Sequence, residues 1–310
     1  MAKPTDTIRI AVLGDSYCEA MQVDLNQTFW SVMEHHINDC LPTGSSTVEV
    51  LNTGVSGYGT AQELLTLQHR VWAYEPDVVL LCVLPANDIR NNSKSLEPDH
   101  NRPFYRLEHE QLVLDTTFLN RPLFASRWVR MKDQIVSRTH LGALAYRLRH
   151  RESSEPSPSE AELGLDNFIY QPPENESHQE AWRITERLLR EIEQDVRRHD
   201  AKLVIVTIAS GIQVHPNASV REAFATRNGI ADLDYAERRI ETVADGLGCL
   251  YVPLAKPMRA YAESHDQYLH GFENTQLGTG HWNAGGHRVA GEIIAEMLCN
   301  VDFFIDLAAP

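Results

Sequence analysis

The chain has 310 residues, enough to bury a large core as one elaborated domain or two. Its composition, 43% hydrophobic and 23% charged, is that of an ordinary globular protein. The formal charge of −15 argues against a generic nucleic-acid binder, whose footprint is basic.

Apolar, β-branched runs alternate with helical patterns along the chain. Strands are predicted at residues 8–13, 48–51, 78–84, 203–208 and 250–254. Helices are predicted near 27–38, 60–73, 180–198 and 233–247. A last helix, 284–298, carries apolar residues at 289/290, 293/294 and 297/298, the spacing of one buried face. Continuously apolar strands separated by helices imply a parallel sheet covered on both sides, a doubly wound three-layer α/β/α sandwich.

Residues 93–180 interrupt this alternation as a largely helical, cap-like insert within a single 1–310 domain. Its segment 121–151 carries eight Lys or Arg residues against one acid, Asp133, with Trp128, Ile135, Leu141, Leu144 and Leu148 at helical apolar positions. Such a helix packs as a cap over the sheet edge, or offers a surface to a membrane or an anionic ligand. The Pro- and Ser-rich run SSEPSPSEAE, 153–162, reads as a loop.

Cys18, Cys40, Cys82, Cys249 and Cys299 have no paired spacing, and several sit in apolar runs such as VVLLCVLP. They read as buried free thiols and not as a disulfide framework. No segment reaches the ~18 apolar residues of a membrane span, and MAKPTDTIRI has no apolar signal core. The expectation is a cytoplasmic protein, exported or anchored if a leader precedes this sequence.

Four short segments stand at the predicted strand ends or beside the last helix. IAVLGDSYCEA runs the first strand straight into Gly14-Asp15-Ser16. Asp and Ser there serve as a helix cap, or display a nucleophile at the carboxyl edge of the sheet. NTGVSGYGT follows the second strand, where its glycines make a turn or let a backbone N–H approach a ligand. LPANDIRNN follows the third strand, and its Asn87-Asp88 pair starts a turn or faces the same edge. GTGHWNAGGHRVAGE places His281 before the last helix, with Asn283 as a candidate cap. Together they set Ser, Gly, Asn and His on one sheet edge. Ester hydrolysis by serine needs that set, because the hydroxyl requires a base and the developing oxyanion requires fixed donors.

Gly14-Asp15-Ser16, the glycine of NTGVSG, Asn87 of PAND and His281 of GHWN resemble the four ordered blocks of the SGNH (GDSL-type) esterases and lipases. The resemblance spans about residues 8–299, with no block in the insert. It implies a carboxylic ester hydrolase, without cofactor or metal, acting on a small-molecule or glycan ester. Ser16 would be the nucleophile and His281 the general base. The oxyanion hole would comprise the backbone N–H groups of Ser16 and Gly57 and the side-chain amide of Asn87. Gly57 is preferred to Gly54 because the family's donor glycine follows a serine in this block.

The match departs from the family in two places: in the third block Ala86, preceded by a proline, stands before Asn87, a tolerable change, and the histidine block lacks an acid. The acid usually found two or three residues before the histidine is absent, since Gly278 and Thr279 stand there. A backbone carbonyl orienting His281, a distant acid such as Glu273 or Asp266 folding back, and an impaired site all remain open. So do two other reactions or roles on this fold: an O-acyltransferase or acetylesterase acting on a carbohydrate, and a non-catalytic carbohydrate-binding relative. His265, His270, His281 and His287 cluster late in the chain, but a six-residue spacing between 281 and 287 does not align two metal ligands on one helical face.

Overall fold

The computed structural model describes residues 3–42, 46–121, 167–300 and 303–304. In chain order the first half runs β1 (Thr7–Leu13), α1 (Ser16–Glu19), α2 (Phe29–Cys40), β2 (Thr47–Asn52), α3 (Thr60–His69), β3 (Val78–Val83) and α4 (Pro85–Asn91). A hairpin follows, β4 (Phe104–Glu108) and β5 (Gln111–Asp115). The second half contains α5 (Glu176–Arg198), β6 (Lys202–Thr207), α6 (Ala218–Arg227), α7 (Tyr235–Leu247), β7 (Leu250–Pro253), α8 (Ala255–His265) and α9 (Ala284–Asn300).

Five strands form one parallel sheet in the order β2-β1-β3-β6-β7. Every residue of β3 is buried, which is why its sequence VVLLCV shows no alternation. Helices α2, α8 and α9 pack in one layer, while α3, α5 and α7 pack in the other. The 23-residue α5 buries Trp182, Leu188, Leu189, Ile192 and Val196 on one face, so sheet and helix each cover the other's apolar side. Each such side chain contributes about 1.5–3 kcal/mol of transfer free energy as an upper bound.

The strand order locates the site. From β1 the chain passes to β2 on one side and then to β3 on the other, so the winding reverses between β1 and β3. The loops leaving the carboxyl ends of those two strands diverge and open a crevice at this switch point. Ser16 leaves β1 and Asn87 leaves β3.

Two expectations change. The described start of the 93–180 insert is not helical but forms the β4–β5 hairpin, paired from Phe104↔Asp115 to Glu108↔Gln111. Its turn residues, His109 and Glu110, both take positive φ, as a tight hairpin turn requires, without the Asn-Gly signature that would announce it. The basic stretch with Trp128, Leu144 and Leu148 lies outside the described residues, as does SSEPSPSEAE.

The cysteines are not all free: Cys40 and Cys299 form a disulfide, leaving Cys18, Cys82 and Cys249 as thiols. Helices α2 and α9 run side by side in the same direction. Gly291 approaches so closely that a Cβ there would lie 2.5 Å from the Phe29 carbonyl oxygen, and the His287 ring accepts the Phe29 N–H at 3.3 Å. That packing brings both helix carboxyl ends together across 259 residues of sequence, a proximity no local spacing reveals.

Candidate active site

Ser16 is the first residue of α1, directly after the turn that ends β1. The bland reading of this junction also holds one residue earlier, since Asp15 caps α1 by accepting the Tyr17 N–H at 2.9 Å. Cap and displayed hydroxyl therefore coexist. The Ser16 hydroxyl and Nε2 of His281 share a hydrogen bond at 2.7 Å, joining residues 265 apart in sequence.

His281 sits in the loop before α9, whose first turn is capped by Asn283: its Oδ1 accepts the Gly286 N–H at 3.0 Å. The Asn283 amide also donates to the carbonyls of Tyr268 and Gly271, tying the histidine loop to the segment before it. Tyr17 backs the imidazole, with ring centroids 5.0 Å apart, and its hydroxyl donates to the Gly280 carbonyl at 2.9 Å. Trp282 packs edge-on against the same tyrosine. Because Nε2 faces Ser16, Nδ1 is the ring nitrogen through which an orienting group acts. Glu273 and Asp266 are both exposed, and Asp266 occupies the left-handed residue that ends α8.

Asn87 lies in the first turn of α4, begun by Pro85, whose missing N–H costs nothing at a helix start. Its amide donates to Asp15 Oδ2 at 3.4 Å, so the side chain points at the residue preceding Ser16. The loop carrying Gly57 is tied to the β1–α1 junction, where the Val55 N–H donates to the Gly14 carbonyl at 3.0 Å and the Ser56 N–H to Glu19 at 2.9 Å. Gly54 is the less suitable donor, since its N–H is already given to Asn52 Oδ1 at 3.0 Å. Gly57 is exposed and takes φ +78°, a conformation glycine adopts without steric cost.

Beneath this edge three carboxyls are buried together: Asp15, Glu63 and Asp88. Burial pushes Asp15 up to about 6, opposed by its bonds from Tyr17 and Asn87. Glu63 and Asp88 rise well above the usual carboxylate range, first through burial and then through neighbouring acids. Of the late histidines, His270 is buried with Nε2 donating to the Ala209 carbonyl at 3.2 Å, and burial lowers it to about 3. His287 is a buried α9 residue stacked on Phe29, likewise lowered to about 4 by burial. Among the described residues no group of three or more His, Cys, Asp or Glu side chains is arranged to hold a metal ion.

Tyr17, Glu19 and Arg102 carry no local signal in the sequence, yet they contact the segments bearing the expected site residues. Tyr17 and Glu19 follow Ser16 on α1. Arg102 arrives from beyond α4, and its guanidinium donates to the Gly57 carbonyl.

The model of the GDSL-like lipase/acylhydrolase family matches residues 12–289. No curated protein sequence matches. Among solved structures the chain is similar to an acetyl xylan esterase, AlAXEase, at 15% identity and a TM-score of 0.46, covering 93% of this chain and 98% of that one. It is similar to a catalytic mutant of Axe2, an acetylxylan esterase from Geobacillus stearothermophilus, at 11% identity and TM-score 0.49, covering 94% of each. It is also similar to TesA, at 14% identity and TM-score 0.46, covering 94% and 97%.

Proposed function

This chain belongs to the GDSL-like lipase/acylhydrolase family and is a carboxylic ester hydrolase, and from that premise we propose that it works as a serine esterase through an acyl-enzyme on Ser16. The observation that carries the reading is the 2.7 Å bond between the Ser16 hydroxyl and His281 Nε2 at the sheet's switch point.

His281 takes the Ser16 proton as Oγ attacks the ester carbonyl, and the carbonyl oxygen becomes an oxyanion. The Ser16 N–H opens α1, where first-turn amides have no acceptor within the helix. That amide, the Gly57 N–H and the Asn87 amide are the donors assigned to the oxyanion. His281 then protonates the departing alcohol, leaving Ser16 acylated. Water, deprotonated by the same imidazole, attacks the acyl carbon and releases the acid. Asp15 supports the arrangement by joining the α1 cap to Asn87.

The test is turnover of p-nitrophenyl acetate by the wild type, Ser16→Ala and His281→Ala. Both variants are expected to lose several orders of magnitude in kcat while keeping the native circular dichroism. A Ser16→Ala protein with near wild-type turnover would refute the mechanism.

A further inference from the structure

The loop bearing Gly57 presents a physical problem. A donor that stabilises an oxyanion must be fixed before the charge develops, because mobility returns the cost of reorganisation. Packing does not fix this loop. Val55, Ser56 and Gly57 are exposed, and a Cβ built on Gly57 would meet nothing within 4 Å. Behind it opens a cavity of about 570 Å³ whose wall includes Gly57, Gln62, Asp99 and Arg102.

Main-chain bonds anchor the loop's two ends, from the Val55 N–H to the Gly14 carbonyl at 3.0 Å and from the Tyr58 N–H to the Val55 carbonyl at 3.1 Å, and two charged side chains grip the exposed tip between them. Glu19, three residues after the nucleophile on α1, accepts the Ser56 N–H at 2.9 Å and the Ser56 hydroxyl through the same oxygen. From the other side, the Arg102 guanidinium donates to the Gly57 carbonyl and, at 2.8 Å, to Gln62 Oε1. Gln62 Oε1 also accepts the Gly59 N–H at 3.0 Å, and its amide donates to the Pro103 carbonyl at 2.7 Å. Arg102 is itself mostly enclosed and faces Glu97 at 3.7 Å. The two peptide groups flanking the Gly57 α-carbon are thus bracketed, one through its neighbour Ser56 and one directly.

We propose that Arg102 and Glu19 are positioning residues that hold the Gly57 N–H in the oxyanion hole. Glu19 couples the loop to the helix carrying Ser16, and Arg102 couples it to α3 and to the segment after α4. Neither touches the reacting atoms. This inference rests on the serine-esterase reading above and extends it to residues outside the family's blocks.

The experiment measures kcat and KM for p-nitrophenyl acetate, together with Tm, in Arg102→Ala, Arg102→Lys, Glu19→Ala and the Ser16→Ala control. In Arg102→Ala and Glu19→Ala, kcat should fall about 10- to 100-fold, less than deletion of a donor itself, with KM within about twofold. Arg102→Lys, which keeps one charged donor but cannot bridge to Gln62, should recover part of the loss. The affinity of a boronic acid that adds to Ser16 should fall in step with kcat, which a merely structural role would not produce. Wild-type kcat in a folded Arg102→Ala or Glu19→Ala protein would overturn the assignment, as would a rise in KM alone. Should Arg102→Ala fail to fold, Arg102→Lys and Glu19→Ala decide by the same criteria. Loss of activity in Ser16→Ala beside unchanged clamp variants defeats only this inference, whereas full activity in Ser16→Ala defeats the esterase mechanism.

Discussion

Removal of the Asn87 amide separates transition-state stabilisation from structural support. One N–H of that amide goes to Asp15 Oδ2 at 3.4 Å, near the limit of a hydrogen bond and worth at most about 1 kcal/mol. Asp15 keeps its shorter bond from the Tyr17 N–H, so α1 retains its cap in Asn87→Ala. The other N–H is the one assigned to the oxyanion, and its loss is expected to cost about 3–4 kcal/mol in the transition state, a 10²- to 10³-fold fall in kcat. The ground state makes little use of that donor, so KM should stay within about threefold. Tm should drop by only about 2 °C for a chain of this size. Asn87→Asp extends the logic: it keeps the shape but sets a second carboxyl against Asp15, already pushed up to about 6 by burial. Its residual activity should fall further as pH rises and the new carboxyl ionises. Steady-state kinetics on p-nitrophenyl acetate beside a thermal melt measure both effects. A rise in KM with unchanged kcat, or a fall in kcat matched by a Tm loss of 10 °C or more, would refute the reasoning.

Glu237 is buried, accepts from the Ala255 N–H and the Thr207 hydroxyl, and is pushed by burial from 4.5 up to about 7. The folded state therefore holds this proton more tightly than the unfolded chain, so its contribution is complete below pH 4.5 and is lost as pH rises to about 7. The loss is on the order of 3 kcal/mol. Glu237→Gln should stabilise the protein at pH 8 relative to pH 4 in denaturant titrations, and an equal effect at both values would contradict this. The Cys40–Cys299 bridge closes a 259-residue span, so Cys40→Ser should lower stability by up to about 5 kcal/mol on a loop-entropy estimate. A non-reducing peptide map should join those two cysteines, and five alkylatable thiols in the unfolded, unreduced protein would contradict the bridge. Glu273→Gln and Asp266→Asn, both at exposed positions, should leave kcat within about twofold. A loss near 10⁴ in either would identify it as the acid that orients His281.

The parallel sheet was legible because β3 is apolar along its whole length and β6 from Leu203 to Val206, and burial on both faces demands that. Ser16, Asn87 and His281 were legible because each follows a strand or precedes a helix, and strand direction alone brings those ends to one edge. The Cys40–Cys299 bridge was not, since it depends on how α2 and α9 pack and on nothing near either cysteine. The β4–β5 hairpin was missed because His109-Glu110 is an unusual pair for a turn with two positive φ angles. Arg102 was invisible for a similar reason: an arginine in PDHNRPF carries no local signal, and its value comes from the Gly57 carbonyl it meets 45 residues away.

The central claim is that Ser16 becomes acylated. The direct measurement is intact mass after acid quench of the enzyme within the first turnovers of p-nitrophenyl acetate, followed by peptide mapping. A single acetyl group on the peptide containing Ser16, absent from Ser16→Ala and formed far more slowly in His281→Ala, is the predicted result. Turnover without any acyl adduct on Ser16, or an adduct that persists when Ser16 is replaced, would contradict it.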